Sequence, residues 1–79
     1  MRKRNVCQTV ITFHTTAEAI ATEKLCRDLG LAGRLISAPR ELSADCGIAW
    51  AAPVEAGEMI LHALENAKIE IAGHHEILL

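Results

Sequence analysis

A chain of 79 residues, 51% of them apolar, can bury one small core, but with Phe13 and Trp50 as its aromatics that core must be built from Ala, Val, Leu and Ile. A net charge of −2 excludes a protein that holds nucleic acid through a basic surface. Three dispersed cysteines, Cys7, Cys26 and Cys46, give neither a disulfide framework nor a CxxC zinc pattern.

No apolar run is long enough to cross a membrane, and the reduced cysteines fit a cytoplasmic protein. The opening Met1-Arg2-Lys3-Arg4 reads as a solvated terminus, and the apolar run after it, interrupted by Gln8 and Thr9, makes a poor signal peptide. One domain is expected over residues 1–79. Along it, residues 6–13 (VCQTVITF) are rich in β-branched side chains and predict a first strand. Thr15 or Thr16 can cap a helix running to Leu29-Gly30, with Glu18 and Glu23 in its early turns. Its buried stripe is either Ala19, Thr22, Cys26 and Leu29 or the rival set Ala17, Ala21 and Leu25. Residues 33–37 (GRLIS) form a short second strand, and after a polar loop residues 47–52 (GIAWAA) form a third. Pro53 suits the first turn of a second helix, whose apolar side is Ala56, Met59, Ile60, Ala63, Leu64 and Ala67, with Gly57 weakening it from within. Residues 69–72 (IEIA) alternate as a fourth strand that can continue toward Ile77.

The order β-α-β-β-α-β with right-handed crossovers predicts an α+β, ferredoxin-like sandwich: an antiparallel sheet in the order 4-1-3-2 with both helices on one face. Strands 1 and 3 then run side by side in opposite directions. The end of the first strand, His14 and the first helical turn should therefore meet Cys46-Gly47 at one end of the sheet. Trp50 should pack under the helices. His74 and His75, neighbours in a strand, point to opposite faces and cannot readily share a metal ion, and no metal site or cofactor is expected.

That meeting point has the ingredients of thiol chemistry. A cysteine reacts as its thiolate and needs access and a positive setting. Cys46 lies at a loop-to-strand junction; Arg40 offers fixed charge, the helix N-terminus offers amides and dipole through Thr15 and Thr16, and His14 can handle a proton. Gly47 permits close approach or an unusual backbone angle, and Pro39 stiffens the loop. Asp45 opposes ionisation. An equally available reading makes Cys46 a small apolar residue packed at a strand start, and Cys26 and Cys7 read as core groups. Arg40 can simply pair with Glu41 or Asp45.

FHTTAEAIATEK (13–24) and GRLISAPRELSADCGIAW (33–50) resemble the selenium/sulfur carrier-like family of small bacterial proteins. The family's Pro-Arg falls on Pro39-Arg40 and its Cys-Gly on Cys46-Gly47; where it often has a proline after Gly-Arg-Leu-Ile, this chain has Ser37. The resemblance implies a carrier rather than a turnover enzyme: Cys46 takes selenium or sulfane sulfur as a (seleno)persulfide from a donor protein and passes it to an acceptor enzyme. Two other readings need no cysteine chemistry: a small-molecule-binding regulatory module, and a homodimeric interaction domain using the open sheet face.

Overall fold

The computed structural model describes residues 7–42 and 46–78. Its elements are β1 (Cys7–Thr12), α1 (Thr16–Leu29), β2 (Arg34–Ser37), a 3-10 turn at Arg40–Leu42, β3 (Ile48–Pro53), a 3-10 turn at Val54–Ala56, α2 (Gly57–Asn66) and β4 (Gly73–Leu78). The sheet is antiparallel in the order β2-β3-β1-β4, which is the expected order read from its other edge. Val6, placed in the first strand by the sequence, lies outside the described residues.

Both helices cover one face. Ile11 and Phe13 from the β1 region, Trp50 and Ala52 from β3, Ala19 and Cys26 from α1, and Ile60 and Leu64 from α2 form the main core. The other face of the central strands carries Val10, Ala49 and Ala51, buried beneath Ile36, Ala38, Leu42 and Ile77. Truncating one large member such as Phe13 costs about 3–5 kcal/mol, a large share of the stability of so small a domain.

Helix α1 starts where Thr15 accepts a hydrogen bond from the Glu18 N–H while the Glu18 carboxylate accepts from the Thr15 N–H, a reciprocal capping box. It stops at Gly30, whose φ of 72° permits the Schellman closure of Leu31 N–H on Cys26 C=O. Of the two predicted stripes, Ala19, Thr22 and Cys26 are buried, whereas Ala17, Ala21 and Leu29 are exposed. Thr15→Ala is expected to cost about 1 kcal/mol, lowering the melting temperature by about 4–8 °C; a calorimetric scan of the variant checks this.

The second half departs from the expected boundaries. Pro53 ends β3 instead of opening a helix: it opposes Gln8 at a position whose N–H the ladder does not need. Gly57 does not weaken the helix interior; it is the first residue of α2, and a side chain there would come within 2.8 Å of Thr9 Oγ1. Met59, expected in the core, is 63% exposed, because the stripe Gly57, Ile60 and Leu64 turns it outward, while Leu61 packs at the core's margin. The fourth strand is not 69–72. A second Schellman closure, with Lys68 at φ 60° and Ile69 N–H bonded to Leu64 C=O, keeps this segment folded against α2. Ile69 and Ile71 therefore pack on the core without pairing, and the strand begins at Gly73.

Candidate functional site

The register Thr12↔Ala49 places the end of β1 beside the start of β3. Continued past the paired residues, that register would set His14 level with Gly47. His14 is exposed, and its main-chain N–H is bonded to Glu18 Oε1 at 3.0 Å. The Glu18 carboxylate thus sits over the start of α1 and offsets part of its positive end. With the Glu18 amide capped by Thr15, the amides of Thr16 and Ala17 are left as the donors of that helix end.

The loop between β2 and β3 is pinned to both faces of the sheet. Ala38 N–H bonds to Gly47 C=O at 2.9 Å, closing its base. Leu42 N–H bonds to Pro39 C=O at 3.0 Å, forming the 3-10 turn that carries exposed Arg40. Ala38 and Leu42 pack on the face away from the helices, while Cys46 and Ile48 pack on the helix side. The anchor Leu42 escaped the sequence reading; its signal was one large apolar residue inside a polar loop. Ser37, at the family's frequent proline position, lies within β2 opposite Ile48. The Ala38–Gly47 bond fixes the ladder so that the Ser37 N–H points outward, and a proline there leaves the ladder intact.

The three thiols differ sharply. Cys26 is fully buried, and desolvation pushes its pKa up, so it stays a neutral core thiol at neutral pH. Cys7 is exposed, not a core group: it is the first residue of β1, opposite Leu78, which is itself 66% exposed. Cys46 is half-buried, and its S–H donates to Ile48 C=O at 3.3 Å. That bond requires the hydrogen, so a thiolate or a persulfide at Sγ gives it up. Gly47 follows with φ 75°, and no described residue lies within 4 Å of where its side chain would stand.

Among the described residues, no hydrogen bond joins Cys46 to His14 or Arg40, and the one ion pair is Glu23–Arg27 on α1. Asp45, read as an opponent of ionisation and as a partner for Arg40, lies outside the described residues. His74 and His75 do face opposite sides: His74 Nε2 lies 3.0 Å from Thr9 Oγ1 on the helix side, whereas His75 pairs with Val10 on the other. No described group of three His, Cys, Asp or Glu residues is placed to hold a metal ion, and no described helix is long and apolar enough to cross a membrane.

A family model described as "Putative Se/S carrier protein-like" matches residues 8–76. No curated protein and no solved structure matches the chain.

Proposed function

Because the chain belongs to the Se/S carrier-like family, we propose that it carries selenium or sulfane sulfur on Cys46 between a donor protein and an acceptor enzyme. One observation carries the choice of residue. The family-matched segment 8–76 contains two cysteines, Cys26 and Cys46, and Cys26 is sealed in the core. Cys46 is therefore the matched cysteine that a donor can reach.

The Cys46 thiolate attacks the terminal sulfur of a donor persulfide, R–S–S⁻. A new bond forms at Sγ, and R–S⁻ leaves with the electron pair of the old S–S bond, so no outside oxidant is consumed. A selenopersulfide donor, R–S–Se⁻, loads selenium in the same way. In delivery, a nucleophile of the acceptor attacks the terminal atom and the Cys46 thiolate is released. In this reading His14 takes the thiol proton, and Arg40 and the amides of Thr16 and Ala17 are the groups that would stabilise the anion. Gly47 and Pro39 shape a rigid, open approach for the partner.

The test is to treat the reduced protein with a low-molecular-weight alkyl persulfide, and separately with its selenium counterpart, and to map the added mass by peptide. The expected result is one chalcogen atom on the Cys46 peptide, reversed by reductant, with Cys26 unmodified until the chain unfolds. An added atom confined to Cys7, or none on the folded protein, rejects the proposal.

A further inference from the structure

The outer edge of β4 has no strand beside it among the described residues. The Ala38–Gly47 bond fixes which residues of β3 face β2, and alternation through the registers then decides the rest. Residues 8, 10 and 12 of β1 direct their main-chain groups to β4, in agreement with the Ala72 N–H bond to Thr12 C=O at 2.7 Å. In β4, Gly73, His75 and Ile77 are spent on β1, so the N–H and C=O groups of His74, Glu76 and Leu78 point outward along six residues of open edge. The other edge, β2, is only four residues long and is followed closely by Pro39, which suits it less to pairing.

An antiparallel pairing of two copies needs outward residues opposite outward residues. The register centred on His75 meets that need and sets His74 of each copy opposite Glu76 of the other, on the helix side of the sheet. His74 uses Nε2 toward Thr9, which leaves Nδ1 for the carboxylate. Every other symmetric register centred on a residue of β4 keeps the same parity, and none of them opposes the imidazole to the carboxylate. The same register carries exposed Leu78 opposite Ala72 of the other copy, next to Ile71. There an open apolar groove of about 280 Å³ is lined by Leu61, Leu64, Ile69 and Ile71, with Glu65 at its rim. An outward leucine, an unfilled groove, an open edge and two imidazole–carboxylate pairs all coincide in one arrangement.

We infer that a second copy of this chain docks through β4, forming a two-fold dimer with a continuous eight-stranded sheet centred on His75. The inference is independent of chemistry at Cys46, which lies at the start of β3 on the far side of β1. The association is expected to have a Kd of about 10–100 µM.

Sedimentation equilibrium of the full chain at about 0.5 mM, well above that Kd, tests it. The wild type is expected at twice the monomer mass. Glu76→Pro removes an outward donor and no bond to β1, and Glu76→Lys removes the carboxylate opposite the imidazole while keeping every main-chain donor. Each variant is expected to weaken association at least about tenfold with an unchanged far-ultraviolet circular dichroism spectrum. Should the proline variant fail to fold, the lysine variant alone decides. A monomeric wild type overturns the inference, and so does a dimer that the folded variants leave intact.

Discussion

Cys46→Ser is expected to abolish chalcogen loading while leaving the fold in place. The hydroxyl fits where the thiol stood and can still donate to Ile48 C=O, the bond that Cys46 makes at 3.3 Å. The melting temperature should therefore move by no more than the few degrees that correspond to about 0.5 kcal/mol. Loading should fall to the background of the other thiols, because an alcohol has no accessible anion near neutral pH. The control is Cys7→Ser. Cys7 is the more exposed cysteine and lies outside the family-matched segment, so its replacement should spare transfer to an acceptor. If Cys46→Ser loads as the wild type does, and Cys7→Ser does not, the carrier reading fails, and a ligand-binding module that makes no use of the thiol takes its place.

The position of this site was legible because topology follows from a few local signals. A β-branched run, a Thr–Glu capping pair and a glycine stop fixed the β-α-β-β-α-β order, and chirality of the crossovers then put strands 1 and 3 side by side. That argument alone assigns His14 and Gly47 to one end of the sheet. The electrostatics were not legible. That the Glu18 carboxylate would turn back over the His14 and Thr15 amides depends on the cap it builds, and this weakens the positive end on which the sequence argument leaned. The exposure of Cys7 and the half-burial of Cys46 depend on how far the helices reach over the sheet, which no residue pattern states.

Helix and strand limits were misread where tertiary packing overrode local preference. IEIA alternates as a strand does, but its isoleucines are held against Leu64 by a left-handed turn at Lys68, a residue without the usual glycine signature. Gly57 looked like a flaw in a helix because Thr9, the atom group that excludes a side chain there, is 48 residues away in the chain. In both places a distant contact decides the role.

Gly33→Ala is expected to be the most damaging single-methyl change in the chain. Gly33 lies in the turn from α1 into β2 with φ 127°, outside the range of ordinary residues. A Cβ there would stand 2.3 Å from Trp50 Nε1, 2.6 Å from Trp50 Cε2 and 2.8 Å from Ala51 C=O. The indole is 3% exposed and its Nε1–H has no partner among the described residues, so it is boxed in without a compensating bond that could guide a new position. Backbone strain of about 1–2 kcal/mol adds to overpacking of about 1–3 kcal/mol. For a domain of this length that sum, about 2–5 kcal/mol, lowers the melting temperature by roughly 8–40 °C. Gly47→Ala separates the two effects, since φ is 75° but no described residue lies within 4 Å of the added methyl. It should show the backbone cost alone, about 1–2 kcal/mol. Trp50 is the one tryptophan of the chain, so its fluorescence reports the displacement directly: a red-shifted emission is expected in Gly33→Ala and an unchanged one in Gly47→Ala. Equal losses in the two variants would mean that the packing of Gly33 on the indole contributes nothing. Cys46 and Ile48 pack against the same core cluster as Trp50. Loading measured on the Gly33→Ala protein below its melting point therefore also shows whether the carrier thiol depends on that packing for its access.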